Sequence, residues 1–331
     1  MDAEEFLAVR DLLRSFVTRF HAEPGALGPK TRADARQTLD DLGLSELRRT
    51  NPPAATAQEC ALLAEEHGRQ PMTTSFVGTA LLAPELLRLI GDTGSGVVQP
   101  DCAAPTIALA KDLRFPGPDA SGALVAWDCD GADAALCVSA DCATVTALEL
   151  GPDAPTADLT RAVRKIPKDS PAQAIGRLDP AQYAQWQAFA LVMVSGELLG
   201  AARSLLDQSV DYARDRRQYG RAIGSFQAVQ HLLADATVLV EACTSAIRYA
   251  AWSLDERPPE QALRAARVAK AEANTSLPEV VRAAMQVFGG IAQTWEFPAH
   301  LYLRRILVGG LTLATTPELL ASLAEPEVAA A

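Results

Sequence analysis

The sequence predicts a mainly α-helical protein with a small β-domain in the middle. Three observations predict it. Apolar residues recur at helical spacing up to about residue 90, switch to shorter, β-type runs between about 101 and 176, and return to helical spacing from 180 onward. Apolar residues make up 49% of the 331, enough for substantial cores in two or three modules. The expected organisation is an N-terminal helical domain over 1–100, a reduced β-domain over 101–178 and a C-terminal four-helix bundle over 179–331.

In the first domain Phe6, Leu7, Val9, Leu12, Leu13, Phe16 and Val17 form one apolar helix face. Leu39, Leu42, Leu44 and Leu47 suggest a second, short helix that ends before Asn51-Pro52-Pro53. Gln58–His67 continues the pattern as far as Gly68, and Pro84 suits the first turn of a helix reaching Ile90. Thr106–Leu109, Ala123–Trp127, Ala135–Val138 and Thr144–Leu150 read as short strands separated by Gly, Pro and Asp. Asp153–Thr156 and Lys165–Pro171 read as loops. Helices then follow over Trp186–Arg214, Phe226–Leu254, Pro259–Ser276 and Pro278–Phe288, long enough to pack as an antiparallel bundle.

Composition narrows the function classes. A net charge of −11 speaks against nucleic acid or an anionic membrane as partner, and any anionic ligand needs its own cluster of Arg or Lys. No apolar run is read as long enough to span a bilayer. The opening MDAEEFLAVRDLLRSF is acidic and amphipathic, without the basic and apolar regions of a secretion signal. Cys60, Cys102, Cys129, Cys137, Cys142 and Cys243 show no C-x-x-C spacing and no adjacent His, so they read as reduced thiols and no metal is expected. The expected location is the cytoplasm.

Two segments carry chemistry. Tyr212–Gln227, YARDRRQYGRAIGSFQ, crowds Arg214, Arg216, Arg217 and Arg221 together, and like charges so close repel unless an anion binds among them. A guanidinium fork suits phosphate oxygens. About 60 residues later, Gln286–Arg305 reads QVFGGIAQTWEFPAHLYLRR. Its paired Gly289 and Gly290 permit positive φ and close approach to a nucleotide, or form an ordinary helix C-cap.

These two blocks, with Leu63–Met72 (LAEEHGRQPM), resemble the acyl-CoA dehydrogenase family, whose members oxidise acyl-CoA thioesters at Cα–Cβ using FAD. The resemblance extends over essentially the whole chain and is specific from Gly196 onward. It implies that Arg216 reaches the FAD pyrophosphate of an adjacent subunit. It also implies that Tyr219 stacks on the adenosine and Gln227 hydrogen-bonds adenine, with Gln218 beside them and Gln286, Gly289 and Gly290 in the second block. From the residues alone, Tyr219 could instead be core and Gln227 a polar helix start. Ala292 stands where the family pattern has a third glycine.

Dehydrogenation requires a base for the α-proton, usually a desolvated Glu. The two family positions for it fall on Leu313 and Ala190, neither of which can move a proton. Glu197 is a possible displaced base, but it lies about 10 Å along the helix from Ala190 and also reads as a structural carboxylate. Glu296 reads as part of a helix start. No residue is therefore assigned as catalytic. The β-domain also lacks the family's Thr-x-Pro-x-Ala-Gly-Ser-Asp loop and Trp-Ile-Thr strand; Trp127 is followed by Asp128 and Cys129.

Three readings follow from the resemblance. The chain is a degenerate subunit of an α2β2 acyl-CoA dehydrogenase, of the type known from actinobacterial steroid side-chain degradation. Such a subunit would complete the FAD site of a full-length partner, with an acyl-CoA as substrate and electron-transfer flavoprotein as acceptor. Alternatively it is a self-sufficient homomeric dehydrogenase or oxidase with an atypical base. Or it is a flavin-free scaffold of the same fold.

Overall fold

The computed structural model describes residues 3–23, 29–91, 105–116, 123–139 and 143–324. Cys102 and Cys142 lie outside these residues. Helices α1 (Ala3–Phe20), α2 (Pro29–Asp41), α3 (Ala57–Gly68) and α4 (Ala83–Leu89) come first. A capping box fixes the start of α3: the Thr56 side chain accepts from Glu59 N while the Glu59 side chain accepts from Thr56 N. The apolar face of α1 is narrower than its sequence suggests. Phe6, Leu13, Phe16 and Val17 are buried, whereas Leu7 and Leu12 are exposed.

Six strands form one sheet in the order β5-β2-β1-β3-β4-β6. They are β1 (Thr106–Ala110), β2 (Leu124–Trp127), β3 (Ala134–Val138), β4 (Thr144–Glu149), β5 (Val163–Lys165) and β6 (Ala172–Arg177). The β1–β3 pair is parallel and the others are antiparallel. The sequence reading missed β5 and β6, placing Lys165 in a loop. Both are edge strands: β5 has three residues and β6 has no buried one, so neither carries an alternating apolar pattern.

Helices α5 (Pro180–Asp215), α6 (Gln227–Glu256), α7 (Pro259–Phe288), α8 (Ala299–Gly309) and α9 (Thr316–Ala324) complete the chain. Helix α5 is the core. Its apolar stretch is long and hydrophobic enough to cross a membrane by length and composition, contrary to the sequence reading, but 94% of that stretch is buried inside the protein. Gly200 lets α3 approach α5 closely, because a Cβ there would collide with the Glu65 carbonyl.

Pro278 does not divide α7 as the sequence suggested; the helix is continuous through it. An interior proline costs about 3 kcal/mol. Burial of Leu277, Val280 and Val281 offsets this, since each fully buried side chain of that size contributes about 1.5–3 kcal/mol.

Candidate functional site

The arginine-rich segment is an exposed hairpin. Arg216 leaves α5 with extended backbone (φ −67°, ψ 123°), its N–H still bonded to Tyr212 O at 2.8 Å. Arg217–Gln218 then pairs with Arg221–Ala222 as a two-stranded ribbon. Tyr219 and Gly220 form the turn, both at positive φ (53° and 76°), which matches the twist of a two-residue hairpin. A non-glycine residue in that region costs on the order of 1 kcal/mol. Tyr219 is 93% exposed, which rules out the core reading. Phe226 steadies the hairpin, with Arg221 over its ring at 4.0 Å and Tyr219 edge-on at 6.2 Å.

Arg216, Arg217 and Arg221 have no ion pair among the described residues, and all three are exposed. Arg214 pairs with Asp211 at 3.1 Å. Gln218 lies in the ribbon and Gln227 opens α6, both exposed.

The second block lies at the same end of the bundle. Tyr212 of α5 packs edge-on against Phe288 at 5.3 Å, and Phe288 against Phe297 at 4.9 Å. Gln286, Gly289 and Gly290, with Arg282 and Gln293, line an open groove of about 620 Å³. Gly289 has φ 69° and so requires glycine. Gly290 does not, and a Cβ there would meet no atom of the described residues within 4 Å. Nothing in the chain's own packing demands a small residue at Gly290; a ligand or partner resting on that backbone would.

The positions expected to carry a base are buried and inert. Ala190 is wholly inside the bundle. Leu313 is 1% exposed at φ 73°, its N–H donating to Leu113 O (2.8 Å) and its carbonyl accepting from Phe115 N (3.2 Å). This clasp ties the chain after α8 to the end of β1.

Glu197 is a structural ion. It is fully buried, and its Oε1 accepts from Arg305 Nη1 (3.0 Å) and His67 Nδ1 (3.2 Å), while Oε2 accepts from Arg161 Nη2. Arg161 also pairs with Asp128 at 2.6 Å, and Arg305 with Asp158 at 2.6 Å. Arg305 Nη2 donates to Thr160 Oγ1 at 2.6 Å. Burial by itself would raise the Glu197 carboxyl, but Arg161, Arg305 and the His67 hydrogen bond outweigh it and hold the group well below the ordinary carboxylate range. A carboxylate so held is a poor proton acceptor, and its side chain is 0% exposed.

This cluster joins α3, α5 and α8 to the β-domain, and the sequence reading found only Glu197. Arg161, Asp128 and Asp158 stand in no recognisable motif. Arg305 closes the second block and His67 sits in LAEEHGRQPM, so these two alone had a signal.

The residues present fit FAD in part. The exposed arginine fork, the amides of Gln218, Gln227 and Gln286, and the open backbone of Gly290 suit a pyrophosphate and adenosine. Neither Ala190 nor Leu313, the two positions expected to carry a base, bears a titratable group.

The model for the acyl-CoA dehydrogenase C-terminal domain matches residues 188–312. Residues 188–312 are thus an acyl-CoA dehydrogenase C-terminal domain. It is 28% identical over 327 residues to the acyl-CoA dehydrogenase IpdE2 of Mycobacterium tuberculosis, with 91% of each chain covered. Among solved structures it resembles a chain of the Tcur3481-Tcur3483 steroid acyl-CoA dehydrogenase G363A variant, with TM-score 0.74, 23% identity and coverage of 97% and 96%. It also resembles a chain of the ChsE4-ChsE5 complex from Mycobacterium tuberculosis, with TM-score 0.74, 19% identity and coverage of 98% and 99%. At those identities the structural likeness concerns the fold, which is that of acyl-CoA dehydrogenases.

Proposed function

We propose that this chain is the non-catalytic subunit of an FAD-dependent acyl-CoA dehydrogenase and completes the FAD site of a full-length partner in an α2β2 assembly. The observation that carries this reading is a contrast within one molecule. Arg216, Gln218, Tyr219, Gln227, Gln286, Gly289 and Gly290 lie exposed at one end of the bundle, while both base positions, Ala190 and Leu313, are buried and apolar.

In this reading Arg216 grips the pyrophosphate of the partner's flavin, Tyr219 stacks on its adenosine, and Gln227 and Gln286 hydrogen-bond its adenine end. The bound flavin supplies the hydride acceptor, and the partner supplies the base. This chain's part is to fix one end of the cofactor, limiting its motion while the acyl-CoA reacts in the other subunit. The paired name of one structural neighbour and the steroid named for the other support a two-subunit enzyme acting on a steroid-derived acyl-CoA. The four cysteines among the described residues are buried and unpaired, which suits a reducing, cytoplasmic setting, and the proposed electron acceptor is electron-transfer flavoprotein.

The test is co-expression with a full-length homologue that carries the missing Glu. Equimolar co-purification with one flavin per pair of chains is expected, and a near-colourless protein when this chain is made alone. A stoichiometric flavin on the lone chain, with acyl-CoA oxidation, would favour the self-sufficient enzyme instead.

A further inference from the structure

A second cavity lies where α2 meets the β-domain. About 320 Å³ in volume and half-open, it runs between α2, the turn joining β2 to β3 and the segment that leads into β5. That volume lies at the lower end of the range for small-molecule sites. Its lining carries both signs of charge: Arg32, Arg161 and Arg164 border the same space as Asp130 and Asp153. The apolar part, Ala154, Leu159, Ala162 and Val163, is small and suits only a short carbon chain.

The fold satisfies one side of this lining and leaves the other open. Arg161 is taken up by Asp128, Asp158 and Glu197, and Thr160 Oγ1 by Asp158 and Arg305. The Cys129 thiol, pushed up to about 12 by burial, carries no charge. The other polar groups are unmatched among the described residues. Asp130 is fixed, its N–H donating to Ser75 Oγ at 2.7 Å and its Oδ1 accepting from Arg36 Nη2 at 3.0 Å, yet its Oδ2 is buried without a partner. Arg32 has no hydrogen bond or ion pair, and its Nε is buried. Arg164 donates from Nε to Gly151 O at 2.7 Å but, like Asp153, has no ion pair. The Thr73 hydroxyl is free to donate or accept.

A buried donor and a buried acceptor on residues that line one cavity, and that do not reach each other, are costly to leave open. A molecule that bridges them removes that cost. A lone anion would meet Asp130 and Asp153, and a lone cation would meet Arg32 and Arg164. A molecule bearing both charges meets neither penalty.

We propose that this cavity binds a short, amino acid-like zwitterion, its ammonium group at Asp130 and its acid group at Arg32 and Arg164. The site shares no residue with the arginine hairpin or the groove at Gly289 and Gly290, and it does not depend on the partner-subunit reading.

The full chain is titrated calorimetrically near neutral pH with glycine, β-alanine and γ-aminobutyrate, and with butyrate and butylamine as singly charged controls. At least one zwitterion is expected to bind saturably at one site per chain, roughly tenfold more tightly than either control. The best of the three measures the spacing of the two charged ends. Asp130→Asn keeps the size of the side chain and an acceptor for Arg36, and should weaken binding roughly tenfold. Arg32→Met should weaken it to a similar degree. Both residues are only partly buried, so each variant should keep the parent's circular dichroism melt. Arg216→Ala should leave zwitterion binding unchanged, which separates this site from the cofactor end. Heats of dilution alone would show that only water fills the cavity and would overturn the proposal. Equally tight binding of butyrate or butylamine, or binding indifferent to Asp130→Asn and Arg32→Met, would overturn it as well.

Discussion

Two clusters of arginine behave oppositely in this molecule. At the β-domain junction, Arg161 and Arg305 are 6% and 3% exposed, and each contacts at least two carboxylates of its own chain. At the hairpin, Arg216, Arg217 and Arg221 are exposed and have no carboxylate partner among the described residues. The first cluster is complete, so its charges serve the fold. The second is unpaired among the described residues, and in the proposed reading its charges await an anion from outside. The same residue type is thus structural or functional according to whether the chain itself satisfies it.

The largest expected effect breaks the complete cluster. Arg161→Met strands buried Asp128 and Glu197 without their shared cation, and losing one partner of a buried pair costs about 3–5 kcal/mol. Arg217→Met on the exposed ribbon should change stability by no more than about 0.5 kcal/mol. Urea denaturation of both variants measures the contrast. Similar losses would mean that the two clusters do not differ as described.

Buried charge without a carboxylate sharpens the comparison. Lys270 is fully buried in α7, donating to Gly309 O at 2.7 Å and Asn274 Oδ1 at 2.5 Å, with no ion pair among the described residues. Burial pushes its ammonium down to about 7. Since the unfolded lysine titrates near about 10.4, the unfolded chain binds more protons between those values. Stability should therefore rise as pH increases from 7 towards 10. Lys270→Met should lack that rise in pH-dependent denaturation; an identical slope in parent and variant would refute the assignment.

Glu197 predicts the opposite window. Its folded carboxyl is depressed, so its contribution is fully present above the unfolded value of about 4.3 and drains away as pH falls below it. The smallest effect concerns rate. Glu197→Gln should destabilise the chain, yet each folded complex should keep its kcat within a few-fold. A base would instead lose about 10²–10⁴-fold.

Most of the architecture was legible in the sequence because helix periodicity and turn residues are local signals. The β-strands β5 and β6 were not, since edge strands this exposed carry no alternation. The continuity of α7 through Pro278 was hidden because tertiary burial overrides the local penalty. The exposed residues proposed to hold FAD were legible as a group because Arg216, Tyr219, Gln227, Gln286 and the paired glycines fall in two contiguous motifs. The buried cluster was not, because His67, Asp128, Asp158, Arg161, Glu197 and Arg305 meet only after folding. Exposure of Tyr219, and the room above Gly290, likewise required the three-dimensional arrangement.

The most direct measurement is FAD retention by the assembled complex when this chain carries Arg216→Ala. A charge-assisted bidentate contact to phosphate contributes about 1.5–3 kcal/mol, so FAD affinity should fall roughly ten- to a hundredfold during dialysis, although in the proposed reading the flavin ring belongs to the other chain. Flavin retention equal to that of the parent complex would show that Arg216 is a solvated surface residue and contradict the shared site.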